Sequence, residues 1–176
     1  LSEADWDLLA ARGVAVIHNP VSNMKLASGP AFDYGAARSR GLRVLLGTDG
    51  AASNNGLDLY ADAKVAALLQ KHHYRDPRRL TVREALEAAS GAGHAFFGTG
   101  AGALVAGAPA DLVLVDLSRP GLGPQNDLAA NLVYGGAGSA VRAVYVAGRE
   151  LVRDGRALGH DTVLAEACAR AARIAG

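Results

Sequence analysis

The chain has 176 residues, half of them hydrophobic, with 18 basic and 17 acidic side chains for a net charge of +1. That length can bury a core in one large or two small domains, and the balanced charge excludes the one-signed field that nucleic acid or an anionic membrane attracts. A single cysteine, Cys168, excludes an internal disulfide framework and a cysteine-rich zinc site. With no apolar run near the ~20 residues that span a bilayer, the expected setting is reducing and cytoplasmic. The opening, Leu1-Ser2-Glu3-Ala4-Asp5-Trp6, lacks an initiator methionine and reads as the interior of a longer polypeptide.

Ser2 caps a first helix, with Asp5 as its capping-box partner, running to about Arg12 and stopping at Gly13. Val14 to Ile17 is a strand that ends at His18-Asn19-Pro20, where proline cannot donate to a ladder. Val21 to Gly29 reads as a polar loop, residues 30 to 40 as a helix, and Arg43 to Thr48 as a second strand. Asp49 to Gly56 is a second polar loop, followed by a helix from Leu57 to Gln70. Helix and strand thus alternate through the first 70 residues, the pattern of a parallel sheet covered by helices.

Lys71 to Arg79 is a basic connector, in which His72 and His73 read as cations at a helix end. Thr81-Val82-Arg83-Glu84 is a capping box opening a helix to about Ser90, and a short helix surrounds His94 to Phe97, where His94, Phe96 and Phe97 are expected to pack. Gly100-Ala101-Gly102-Ala103 is turn material. Ala110 to Asp116 is an apolar strand, and Val141 to Val146 with Glu150 to Arg153 form a hairpin about Ala147-Gly148-Arg149. An alanine-rich helix begins near Asp161.

The chemistry concentrates at Val44-Leu45-Leu46-Gly47-Thr48-Asp49-Gly50. An apolar run that ends in small residues and one carboxylate is how a buried parallel strand delivers an acid to the mouth of an α/β barrel. Asp49 is therefore the candidate catalytic residue, against the alternative of an ordinary Asp-Gly turn. Ser53, four residues on, is a candidate substrate contact or a loop-closing hydroxyl. His18, at the end of the first strand, is a candidate substrate contact or a packing residue. Asn54 and Asn55 are expected to bond backbone across their loop, Asn19, Ser22 and Asn23 to hold the shape of theirs, and Lys25 to be a solvated charge.

Three stretches, His18-Asn19-Pro20-Val21-Ser22-Asn23-Met24-Lys25-Leu26, Leu46-Gly47-Thr48-Asp49-Gly50-Ala51-Ala52-Ser53-Asn54-Asn55 and Gly107-Ala108-Pro109-Ala110-Asp111-Leu112-Val113-Leu114, together resemble the C-terminal half of the amidohydrolase superfamily. The nearest branch resembles the methylthioadenosine/S-adenosylhomocysteine deaminases and the triazine chlorohydrolases. The resemblance implies an α/β chain: the last βα units of a (β/α)₈ barrel over residues 1–97, part of a small β-sandwich over 98–158 and a C-terminal helix over 159–176. It implies that the strands ending at His18 and Asp49 are the seventh and eighth. It also implies one divalent metal, zinc or alternatively iron, with Asp49 as both ligand and proton shuttle and Ser53 against a small heterocyclic substrate. The implied reaction is hydrolytic deamination of a purine-like or other N-heteroaromatic ring by a homo-oligomer, the alternatives being triazine dechlorination and a non-catalytic scaffold. The family's His-x-His, middle-strand histidines and catalytic glutamate have no counterpart in this sequence, so the resemblance implies that these 176 residues alone are inactive.

Overall fold

The computed structural model describes residues 1–100 and 102–175, so that Ala101 of the expected turn lies outside the described residues. Helix α1 (Glu3–Ala11) starts at the Ser2/Asp5 capping box and is followed by β1 (Ala15–His18). Helix α2 (Pro20–Lys25) and helix α3 (Tyr34–Ser39) lead into β2 (Arg43–Leu46). A single turn α4 (Ala51–Asn54) precedes α5 (Leu59–Tyr74), α6 (Val82–Ala89) and α7 (Gly91–Phe97). Strands β1 and β2 pair in parallel, Ala15 with Arg43 through His18 with Leu46, as the alternation of elements requires.

The two loops expected at 21–29 and 49–56 each contain a helix instead. Pro20 occupies the first turn of α2, where its missing N–H and fixed φ cost nothing, and burial of Ser22 holds the turn against α5. Helix α3 begins four residues later than expected because Asp33 caps it, accepting from the Ala36 amide at 2.7 Å. Helix α5 runs past Gln70 to Tyr74 and ends where Arg75 turns left-handed, at φ 53°.

Every residue of β2 after Arg43 is buried. Val44 and Leu46 face a core with Trp6, Tyr34, Ala63, Ala66 and Leu80, while Leu45 lies against α7. Strand β1 is covered on one side only: His18 is buried, Ile17 is 51% exposed. Phe96 and Phe97, expected to pack, are exposed and meet edge to face, with the Arg43 guanidinium over the Phe96 ring. Nearby, His94 Nδ1 is 2.8 Å from Thr99 Oγ1.

Beyond residue 102, β3 (Leu112–Val115), β4 (Val141–Val146), β5 (Arg149–Arg153) and β6 (Arg156–Ala157) form one antiparallel sheet in that order. Ala147 and Gly148, both at positive φ, make the two-residue turn between β4 and β5, in the conformation that suits the twist of paired strands. Asp154 and Gly155 repeat it between β5 and β6. The segment 117–140, given no element by its sequence, carries α8 (Leu128–Tyr134) and a 3₁₀ turn (Ala137–Ala140). Helix α8 packs on α5 and α6, so this part of the chain returns to the helical layer. Within the segment the backbone closes on itself, and a Cβ at Gly135 would clash with the Gly121 carbonyl oxygen. Helix α9 (His160–Ala175) closes the chain and carries the exposed Cys168. Among the described residues, no helix is long and apolar enough to cross a membrane.

Candidate active site

Parallel strands end on the same side of a sheet, so the segments leaving β1 and β2 share one end of the fold. Helix α2 follows β1, and the Asp49 turn with α4 follows β2. Asp49 itself is exposed and sits at φ 59°, a left-handed conformation that residues other than glycine rarely adopt. Two hydroxyls hold its carboxylate: Ser22 Oγ of α2 donates to Oδ2 at 2.7 Å, and Ser53 Oγ of α4 lies 2.8 Å from the same oxygen. The bonds from Ser22 and Ser53, with the Gly50 amide, keep the acid below its ordinary carboxylate range, so it is anionic at neutral pH.

Ser53 is thus brought to Asp49, its hydroxyl also 2.9 Å from the Gly50 carbonyl. With one proton, it donates to one of these at a time and keeps lone pairs to accept with. Ser22, read from the sequence only as a loop-shaping residue, is buried and is Asp49's nearer partner. The signal available for it was positional: a hydroxyl just after a strand whose parallel neighbour ends in the candidate acid.

The His18 side chain makes no hydrogen bond to Asp49. It is 3% exposed, its ring packs on Phe32 at 4.9 Å between centroids, and both ring nitrogens lack a hydrogen-bond partner among the described residues. Burial pulls its pKa down to about 4, so the ring is neutral. It lines a cavity of about 300 Å³ with Met24, Phe32 and Leu69, which Asp49 does not line.

Asn54 bonds backbone across its loop as expected, whereas the Asn55 side chain accepts from Lys25 instead. Asn54 Nδ2 donates to the Thr48 carbonyl at 2.8 Å, and Asn55 sits left-handed at φ 70°. Lys25, expected to be solvated only, donates to Asn55 Oδ1 and so ties α2 to α4. A Cβ at Gly47 would lie 2.4 Å from Asn19 Oδ1, so the absence of a side chain there lets the two loops close together.

Among the described residues, no three His, Cys, Asp or Glu side chains gather as a metal-ligand set. The donor chemistry suits one position of a coordination sphere: Asp49 is an anionic carboxylate whose side-chain hydrogen bonds both fall on Oδ2. These residues alone do not complete the sphere.

Known proteins are similar to this chain in sequence and in fold. A 5′-deoxyadenosine deaminase from Methanoregula boonei is 50% identical over 174 residues, 99% of this chain and 39% of the relative. A 5-methylthioadenosine/S-adenosylhomocysteine deaminase from Archaeoglobus fulgidus is 45% identical over 88% of this chain and 37% of its own length. The structure superposes on an adenosine deaminase from Xanthomonas campestris with bound zinc, with a TM-score of 0.87 and 37% identity, over 98% of this chain and 40% of that one. It also superposes on the zinc complex of atrazine chlorohydrolase from Arthrobacter aurescens, with a TM-score of 0.84 and 27% identity, over 96% of this chain and 38% of that one. The chain therefore spans about two fifths of the length of the proteins it matches. Residues 1–151 match the amidohydrolase family, and the chain belongs to that family.

Proposed function

We propose that this chain supplies one wall of a hydrolytic deaminase site acting on a purine-like nucleoside, with Asp49 as its proton-handling carboxylate. The observation that carries the reading is the grip of Ser22 and Ser53 on Asp49, made by segments that follow two adjacent parallel strands. A non-catalytic scaffold has no physical need for an anionic carboxylate so held. We read β1 and β2 as neighbouring strands of a (β/α)₈ barrel and β3 to β6 as part of a β-sandwich. The similarity to a mixed α/β region of whole amidohydrolase structures supports this.

Deamination replaces a ring C–NH₂ with C=O and releases ammonia. Water must lose a proton on attack, and the departing nitrogen must gain one, because an amide anion is a very poor leaving group. Asp49, held anionic, takes the proton from water and returns it to the nitrogen. Ser53, half-buried beside it, has lone pairs to accept a hydrogen bond from the substrate. We assign His18 to packing beneath the loop rather than to substrate. A divalent metal, zinc by likeness to the superposed structures, would supply Lewis-acid activation of the water toward a pKa of ~7. Asp49 would be one of its ligands, and residues beyond these 176 would supply the others.

Atrazine chlorohydrolase supports a second reading, hydrolytic loss of chloride from a triazine, in which no proton is delivered to the leaving group. The deaminases' higher identity favours deamination. A chimera decides between them: this chain replaces the corresponding two fifths of the Methanoregula boonei 5′-deoxyadenosine deaminase. We expect ammonia release from 5′-deoxyadenosine, 5′-methylthioadenosine or S-adenosylhomocysteine, with no chloride release from atrazine. Chloride release without ammonia reverses the assignment.

A further inference from the structure

Asp62 of α5 is 1% exposed, yet no cation pairs with it among the described residues. Burial of a carboxylate is costly unless its oxygens are satisfied, and here Oδ1 lacks a hydrogen-bond partner. Burial and the nearby Asp58 charge raise its pKa, while Asn54 and the Val21 amide lower it. A carboxyl group kept at such expense on the buried stripe of a helix, beside Ala63, Ala66 and Ala67, calls for a reason.

Its contacts supply one. Oδ2 accepts from Asn54 Nδ2 at 3.1 Å, and the same amide group donates to the Thr48 carbonyl at 2.8 Å. Thr48 immediately precedes Asp49, and Asn54 immediately follows Ser53, so one side-chain amide staples both ends of the turn that carries the candidate acid. On the other side, Val21 belongs to the first turn of α2, next to Ser22. Asp62 therefore bonds the α4 turn directly, from the helix that also packs against α2, and these are the two elements whose serines hold Asp49. The turn needs outside support, because Asp49 and Asn55 are both left-handed.

We propose that Asp62 is the positioning residue of this site: from α5 it sets α2 and the Thr48–Asn54 turn in the register that brings Ser22 and Ser53 onto Asp49. Its kinetic consequences rest on the deaminase reading; its structural consequences do not.

The test uses the chimera with Asp62→Ala, Asp62→Asn and Asn54→Ala, following kcat and KM together with hydrogen exchange over residues 48–56. In Asp62→Ala we expect kcat to fall about a hundredfold with KM nearly unchanged, the scale of loss that slight misplacement of reacting groups produces. Exchange should accelerate at the Ser53, Asn54 and Asn55 amides, which bond Gly50 and Ala51 carbonyls, but not in β1 or β2. Asp62→Asn should stay within about threefold of the parent, because an acceptor oxygen survives. Asn54→Ala should reproduce Asp62→Ala, and the double variant should be no worse than either, as for two groups acting through one contact. The inference is overturned if Asp62→Ala and Asn54→Ala only lower the unfolding temperature while kcat and exchange over 48–56 stay at parental values. If the parent chimera deaminates nothing, the deaminase reading fails, and the exchange data alone decide whether Asp62 holds the turn.

Discussion

In the chimera, Asp49→Asn is expected to lower kcat/KM by about a thousandfold or more, the scale lost with a positioned proton-transfer group. The amide is nearly isosteric, and its remaining oxygen still accepts from Ser22 and Ser53, so the turn keeps its shape and the unfolding temperature stays near that of the parent. What disappears is the negative charge and the basic oxygen. Steady-state ammonia release with a thermal melt of each protein checks this. Activity within about tenfold of the parent would remove Asp49 from the proton-transfer role.

The second large effect is on stability and comes from His18. Its pKa falls from 6.5 to about 4 on folding, because burial beside Phe32 disfavours the charged ring. The unfolded chain therefore binds a proton below pH 6.5 that the folded chain refuses until about pH 4. Stability is complete above pH 6.5 and declines as the pH falls through that window, by about 3 kcal/mol in all and about 2 kcal/mol by pH 5. His18→Leu keeps an apolar side chain in the slot and removes the titration. Urea unfolding of both chains at pH 8 and pH 5 should show the parent losing about 2 kcal/mol more than the variant. Equal losses would mean that the ring is solvated or paired in the folded state.

The sequence carried the frame of the fold but less of the site. The Ser2/Asp5 and Thr81/Glu84 capping boxes and the Ala147-Gly148 turn are local devices, and local devices are readable because their partners lie within a few residues. The parallel pairing of β1 and β2 followed from alternation alone. Helices α2 and α4 were missed because six and four residues are too few to be stable helices by themselves. Pro20, buried Ser22 and the Lys25–Asn55 contact make them helical only in the folded chain.

The same limit applies to the contacts around Asp49. Asp49 and Ser53 are four residues apart and were legible together. Ser22 lies 27 residues away from Asp49, and only the strand pairing brings it within 2.7 Å. Asp62 is hidden in an alanine-rich helix, where a carboxylate normally marks the solvated face. Its significance emerges only once that face is seen to be buried against α2 and α4. Phe96 and Phe97 fail in the opposite sense: an aromatic pair promises core, and the structure leaves both in solvent.

If Asp49 both handles the proton and helps hold a catalytic cation, zinc content reports on it. After dialysis against a weak chelator, the chimera is expected to retain about one equivalent of zinc and Asp49→Asn far less, as a site missing one of its few protein ligands should. Equal zinc in parent and variant would mean that the carboxylate contributes nothing to holding the metal.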